Sequence, residues 1–173
     1  MKTISDYIGQ TLKFVESAII KQNCELKAGE EVIAKIRSPK FLSSLMAVDG
    51  SLGKWEFYRP SFWKSAIAIR ETGNELPIAT FDRKIFSTKG TVHLPKGERL
   101  YIIFYAFKKY FEIQNSYGER IVLFTPKFSW GGEKTDIVIE KKSAVLDKYP
   151  WIIMLVWYLA AQRKRSHAAA AAH

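Results

Sequence analysis

The sequence reads Pro150-Trp-Ile-Ile-Met-Leu-Val-Trp-Tyr-Leu-Ala-Ala161 near its C-terminal end, and the cationic triplet Arg163-Lys164-Arg165 follows closely. The eleven residues from Trp151 to Ala161 include no charge. A membrane-spanning helix needs about 20 apolar residues, so this stretch is too short to cross a bilayer. The sequence therefore predicts a helix buried in a protein core.

This predicted helix is apolar on every side, so other elements must enclose it. Pro150 suits the first turn of a helix, and Asp147 lies upstream, where an acidic residue favours the positive helix end. The cationic triplet complements the negative end and predicts that the helix stops there, in water. The positions expected to fill the centre of the fold are Trp151, Ile152, Leu155, Val156, Trp157 and Leu159.

The rest of the chain has the pattern of short strands. Runs rich in β-branched and aromatic residues recur at short intervals, and each run ends in Gly, Pro, Asn or Asp. Short connections favour hairpins, and a sheet that closes on itself encloses a helix and has no exposed edges. We therefore predict a mainly β fold, a closed antiparallel barrel of about twelve strands with the hydrophobic C-terminal helix through its centre. The predicted strands are residues 12–17, 22–27, 31–37, 44–48, 54–59, 65–71, 76–82, 91–94, 99–107, 110–115, 120–125 and 135–140.

Length and composition favour one domain over residues 1–165 of the 173, a size that buries roughly 70% of the surface of the unfolded chain. The remaining segment, 166–173, is an alanine run between histidines and is typical of a tag or a disordered tail. A single cysteine forms no internal disulfide, and no spacing of Cys or His suits zinc, so we expect no cofactor. No signal-peptide pattern follows Met1, which favours the cytoplasm, with a peripheral position at the inner membrane face.

The formal net charge of +10 favours anionic partners, namely an anionic membrane surface or an acidic protein, with nucleic acid a lesser candidate. Basic residues interleaved with aromatic ones form the candidate anion or lipid surface. A simpler interpretation is that these basic side chains only face water on the exterior of the barrel and bind no partner. The candidates are Arg59, Lys64, Lys108, Lys109, Lys127, Lys141, Lys142, Arg163, Lys164 and Arg165.

No group of residues has the pattern of a catalytic site. His93 is the one histidine outside the tail, and a lone histidine on a strand is typical of a structural role. Cys24 fits a buried, inert thiol. The stretch Trp130-Gly-Gly-Glu133 lacks the Lys-Ser/Thr ending of a phosphate-binding loop and is interpreted as a hairpin turn. We therefore expect a protein that is not an enzyme.

Three segments resemble a known superfamily: Glu25-Leu-Lys-Ala-Gly-Glu-Glu-Val-Ile-Ala-Lys35, then Lys54-Trp-Glu-Phe-Tyr-Arg-Pro-Ser-Phe-Trp63 with Ile67-Ala-Ile-Arg70, and the helix that begins at Trp151. Together they resemble small bacterial proteins of the tubby C-terminal-like superfamily, which also holds the plant LURP-one-related proteins and the phospholipid scramblases. The resemblance implies a twelve-strand barrel threaded by its C-terminal helix. For the small bacterial members it implies a fold without an assigned activity, whereas tubby proteins bind phosphoinositide head groups through a basic pocket.

Two functions follow from these observations. The first is a non-catalytic module that binds anionic phospholipid or phosphoinositide head groups peripherally through a basic surface. The second is a scaffold that binds other proteins, with its positive charge incidental. A continuous basic patch would favour the first, and an exposed apolar patch of several hundred Å² would favour the second. An enzyme would need a pocket at the barrel mouth with perturbed acids.

Overall fold

Twelve antiparallel strands form a closed barrel in the described residues of this computed structural model, which are 1–17, 23–39, 44–60, 66–105, 107–129 and 132–172. Each strand pairs with the strands before and after it in sequence, and β1 pairs with β12 to close the barrel. The predicted fold class and the predominance of hairpins are both confirmed. The strands are β1 (Thr11–Glu16), β2 (Cys24–Ala28), β3 (Glu31–Arg37), β4 (Met46–Gly50), β5 (Gly53–Tyr58), β6 (Ile67–Glu71), β7 (Ala79–Arg83), β8 (Lys89–His93), β9 (Arg99–Tyr105), β10 (Tyr110–Gln114), β11 (Arg120–Ser129) and β12 (Gly132–Ile139).

Alternation along the strands decides which side chains face the lumen of the barrel. In β1, Leu12 and Phe14 are buried while Thr11 and Lys13 are exposed, as expected when successive side chains point to opposite faces of a sheet. The inward residues of the strands and the C-terminal helix belong to one continuous hydrophobic cluster. The core of the molecule is therefore the lumen itself.

The C-terminal helix, α2 (Trp151–Ala171), fills that lumen. All nine residues from Trp151 to Leu159 are buried. The ring of Phe57 on β5 packs against both Trp151 and Tyr158, with centroids 6.5 and 5.8 Å apart. The prediction of a central helix is confirmed, and all six residues assigned to its buried surface are buried: Trp151, Ile152, Leu155, Val156, Trp157 and Leu159.

The polar atoms of two buried aromatic residues on α2 have partners on the barrel wall. The Trp157 indole donates a hydrogen bond from Nε1 to Oε1 of Glu16, at 2.9 Å. The Tyr158 hydroxyl donates to the backbone carbonyl of Ser44, at 3.1 Å. These bonds fix the rotation of the helix inside the barrel, because one face of α2 must meet the end of β1 and another must meet the segment that precedes β4.

A short helix, α1 (Ala144–Lys148), precedes α2 and was missed by the strand and helix patterns. The Ser143 hydroxyl caps it by accepting a hydrogen bond from the Leu146 amide. The sequence suggested that Asp147 favours the positive end of α2, and this stays a prediction. Asp147 lies in α1, and its Oδ1 accepts a hydrogen bond at 2.7 Å from the Ser5 amide, in the 3₁₀ turn Ile4–Tyr7.

Helix α2 does not end at the cationic triplet. It continues through Ala171, into the segment that the sequence analysis set apart as a tail. Alanine has the highest intrinsic helix propensity, so the alanine run prolongs a helix that the barrel has already nucleated. At the hairpin expected around Trp130, β11 ends at Ser129 and β12 begins at Gly132, while Trp130 and Gly131 lie outside the described residues.

A charge placed on the central helix tests its enclosure. Leu155 is fully buried, so Leu155→Asp should lower the free energy of unfolding by about 4 kcal/mol or more, enough to unfold the domain. Leu155→Met conserves volume and should cost less than about 1.5 kcal/mol. Chemical denaturation followed by circular dichroism measures both. An Asp variant that unfolds with the cooperativity of the wild type would contradict a helix enclosed by the barrel.

Truncation after Tyr149 tests the same point by removing the helix. The barrel would then lose the buried side chains of α2, and we expect no folded product. Expression followed by gel filtration and thermal melting would detect a folded fragment, and a stable one would mean that the helix is detachable.

Candidate functional site

The two ends of the barrel are distinguished by where α2 leaves the lumen. Near the last turns of the helix, the Lys164 ammonium lies 3.6 Å from Oε1 of Glu16 at the end of β1, and it also contacts Glu133 near the start of β12. We call this the exit end, and we call the other one the α1 end. Odd-numbered strands run towards the exit end, so the described residues that join an odd-numbered strand to the next strand lie there: 17, 23, 38–39, 44–45, 59–60, 66, 84–88 and 107–109.

The sequences of the connections give the two ends opposite charge. The described exit-end residues include four basic ones and no Asp or Glu; the basic residues are Arg59, Lys84, Lys108 and Lys109. The five strand connections at the α1 end contain one basic residue, Lys96, and four acidic ones: Glu30, Glu75, Glu98 and Glu119. The exit end is therefore the electropositive pole of the barrel.

A groove of about 550 Å³ opens at the exit end between α2 and the tips of several strands. Its basic residues come from three elements: Arg59 follows β5, Arg83 and Lys84 follow one another at the end of β7, and Arg163 belongs to α2. Among the residues that the structure describes, no Asp or Glu lines it. Its apolar floor includes the buried side chains of Phe81, Phe104 and Leu159.

Arg83 and Arg163 share one buried aromatic ring. The guanidinium carbon of Arg83 lies 5.7 Å from the centroid of the Phe104 ring, and that of Arg163 lies 4.8 Å from it. Both distances are within the range of cation–π contacts. The Phe104 ring is itself held by an edge-on contact with Phe111, at 5.2 Å between centroids. One fixed ring therefore supports two positive charges.

Neither of these arginines forms an ion pair with a carboxylate among the described residues. Burial lowers the pKa of the Arg163 guanidinium from its ordinary value, and the positive charge of Arg83 lowers it further. By contrast, Arg70 and Arg120 on the barrel wall have carboxylate oxygens at 2.6 and 2.8 Å. The groove thus holds positive charges that repel each other.

Exposed apolar side chains lie at the exit end, and two of them, Ile85 and Phe86, line the groove. Ile85, Phe86 and Phe107 extend into solvent from the connections after β7 and β9. Phe86 has a left-handed backbone, with φ of 65°, inside a turn closed by a hydrogen bond from the Ser87 amide to the Lys84 carbonyl. A bulky residue in this conformation costs roughly 1 kcal/mol or more. The turn therefore presents a phenyl ring to solvent where Gly or Asn would fit with less strain.

The structure brings only some of the ten candidate basic residues together. Arg59 and Arg163 line the groove. Lys108 and Lys109 lie in the turn after β9, also at the exit end. Arg165 and Arg59 both lie near the hydroxyl of Tyr158, whose pKa is raised by burial and lowered in part by these charges. Lys64 lies outside the described residues.

The other four candidates have acidic neighbours and do not join this group. Lys127 pairs with Asp136 between β11 and β12, on the barrel wall. Lys141 pairs with Glu119 at the α1 end, and Lys142 is near Asp6 there. Lys164 lies at the exit end but is neutralised by Glu16 and Glu133. The predicted surface is therefore not one patch, and its unneutralised part is at the exit end.

Sequence reasoning missed Arg83 and Lys84. The signal for Arg83 is the alternation in β7, where Ala79 and Phe81 face the lumen and the next inward position is Arg83. The predicted strand ended one residue too early, at Asp82, so its last inward position was lost. Lys84 has no comparable signal, because only the topology places its connection beside α2.

The other two residues considered as reactive groups, His93 and Cys24, have surroundings that suit structural roles. His93 Nε2 lies 2.6 Å from Oδ2 of Asp82, a contact between neighbouring strands. Cys24 is buried, and burial raises the pKa of its thiol, which keeps it protonated and unreactive. Within the part of the chain that the structure describes, no cluster of His, Cys, Asp or Glu could hold a metal ion. No helix in the same part combines the length and apolar character needed to cross a membrane.

Comparison of the chain with protein-family models, with curated proteins and with solved structures found no match.

The repulsion in the groove predicts a salt effect on stability. Salt screens like charges that lack partners, so raising NaCl from about 0.02 M to about 0.5 M should stabilise the wild type. The increment should be smaller by about 0.5 kcal/mol in an Arg83→Gln/Arg163→Gln variant. The matched control, Lys96→Asn/Lys142→Gln, removes two charges at the α1 end and should keep the wild-type increment. Equal salt dependence of the unfolding free energy in all three proteins would contradict this repulsion.

Proposed function

We propose that this protein is a non-catalytic module that binds anionic phospholipid membranes peripherally, with its exit end against the lipid. The observation that carries the proposal is the composition of the exit end. The described residues of its connections include four basic and no acidic ones, and Ile85, Phe86 and Phe107 extend from two of these connections. The α1 end, where acidic residues outnumber basic ones among the strand connections, would face away from the membrane.

Two physical effects would act together at such a surface. An anionic leaflet attracts each nearby Lys or Arg by about 1 kcal/mol, and the attraction decays within a Debye length of about 8 Å at physiological salt. Exposed aromatic rings favour the interface between head groups and acyl chains. The charges would bring the barrel to the membrane, and Phe86 and Phe107 would anchor it there.

The strained turn supports this interpretation. Phe86 occupies a backbone conformation that favours Gly or Asn, and its side chain gains no packing inside the protein because it is fully exposed. The exposed position of the Phe86 ring, which costs stability, is explained if the ring inserts into the apolar part of a membrane. The resemblance to the tubby C-terminal-like superfamily stays a prediction; a lipid-binding role at the inner membrane face agrees with it.

Co-sedimentation with vesicles tests the proposal. Wild-type protein without the 166–173 segment should bind phosphatidylglycerol–phosphatidylcholine vesicles at low salt, lose affinity as salt rises, and ignore pure phosphatidylcholine. Phe86→Asn/Phe107→Asn should weaken binding about tenfold or more. Its thermal stability should not fall, because Asn tolerates the left-handed backbone at position 86. The matched control is Leu76→Asn/Tyr117→Asn, which removes two exposed apolar side chains from the α1 end and should bind like the wild type.

Three results would overturn the proposal. Absence of binding to anionic vesicles would leave protein scaffolding as the better interpretation. An equal loss of vesicle binding in the exit-end variant and in the control variant would mean that the exit end is not the surface that contacts the membrane. Short duplex DNA that removes the protein from vesicles at equal phosphate concentration would show that any polyanion suffices.

A further inference from the structure

We infer that the groove between Arg83 and Arg163 binds one phosphate group, carried by a lipid head group or by a small soluble molecule. This inference deepens the proposed function and rests on it only for the source of the phosphate. It differs from surface attraction because it requires a particular pair of guanidinium groups, not merely positive charge near a membrane.

The fold places both arginines where charged side chains are costly. Arg83 occupies an inward position at the end of β7, after the buried residues Ala79 and Phe81. Arg163 lies one helical turn beyond Leu159, the last buried residue of α2. Both side chains are partly buried and both contact Phe104. They thus approach the same space from the barrel wall and from the central helix.

An anion is the missing partner in this arrangement. Partly buried charges in proteins are ordinarily paired, because desolvation without a partner is unfavourable. Here, no carboxylate among the described residues pairs with either guanidinium, and no acidic side chain lines the groove. A phosphate bound there would neutralise the repulsion between Arg83 and Arg163 and would replace the water lost from both.

The chemistry of the groove favours a phosphate group. The guanidinium group presents planar paired N–H donors that match the oxygens of phosphate, and contact with an aromatic face restricts its orientation. Lys84 and Arg59 add positive charge at the border. A volume of about 550 Å³ lies within the usual range for small-molecule sites, so the group attached to the phosphate also fits.

The site lies beside the proposed membrane anchor. Phe86 belongs to the connection that directly follows Arg83 and Lys84, and it lines the same groove. A ring inserted at the interface would therefore hold the groove at the level of the lipid phosphates. A head group could enter from the membrane, and a soluble phosphate ester could enter from water.

Titration with inorganic phosphate at constant ionic strength, balanced with chloride, tests the site directly. Side-chain Nε–Hε resonances of Arg83 and Arg163 should shift in a saturable way in nuclear magnetic resonance spectra of the full-length protein. Either Arg83→Gln or Arg163→Gln should abolish saturation at the remaining arginine. Arg83→Lys/Arg163→Lys keeps the charge but loses the paired donors, so its thermal stabilisation by phosphate should need about tenfold more ligand.

Two controls distinguish phosphate binding in the groove from a general effect of positive charge and from a contribution of residues 166–173. Lys96→Asn/Lys142→Gln removes two charges at the α1 end and should leave the titration unchanged. A chain ending at Arg165 lacks Ser166 and His167 of the groove lining and should also bind phosphate like the wild type. A shift that is linear in phosphate, or shared equally by basic residues at the α1 end, would overturn the inference.

Vesicles then identify the source of the phosphate. If saturating glycerol 3-phosphate weakens binding to phosphatidylglycerol vesicles, the groove takes the lipid head group. If it saturates the groove without changing vesicle binding, the site takes a soluble phosphate and the lipid source is rejected. The proposed membrane function fails separately, when vesicles do not bind although phosphate saturates the groove. If the Gln variants lose vesicle binding but phosphate does not titrate the wild type in a saturable way, the arginines attract the membrane by charge alone. The phosphate site would then be rejected and the membrane function kept.

Discussion

Filling the lumen of a twelve-strand barrel is the constraint on which the rest of this structure depends. An eight-strand barrel is filled by its own inward side chains, whereas a wider barrel needs something else inside. Here α2 supplies it, with an unbroken buried stretch from Trp151 to Leu159. The helix needs the barrel because it has no polar face, and the barrel needs the helix because an empty lumen would forfeit the packing of every inward residue.

The same packing creates the basic groove. A helix that passes through a barrel must leave it at one end, and its first polar residues then meet the strand tips. Leu159 is the last residue of the buried stretch, and one turn later Arg163 lies over Phe104. The inward face of β7 ends in the same place with Arg83. The pair of arginines therefore marks the boundary between the core and the solvent, where a guanidinium group can rest on an aromatic ring while its donors face outward.

Sequence patterns predicted the fold better than the site, for a physical reason. Strand alternation and an apolar helix are local patterns, so the barrel and the residues inside it, such as Leu155, could be read directly. The groove depends on which strand tips meet at the exit end, a non-local property. Lys127 and Lys141 looked equivalent to Arg59 until the structure showed carboxylates beside them. The helix end was misjudged because a cationic triplet complements a helix terminus without enforcing one.

The pairing of β1 with β12 has a consequence for how the chain acquires its structure. The first strand has one neighbour in sequence, and its second neighbour is made only after ten further strands. Until then the growing sheet has two open edges and an unfilled apolar face, and the helix that covers this face follows still later. Such non-local closure slows folding and exposes surfaces that associate with other chains. The nascent chain is thus most vulnerable to aggregation after the last strand and before the helix, when nearly all of the wall exists and nothing yet occupies the interior.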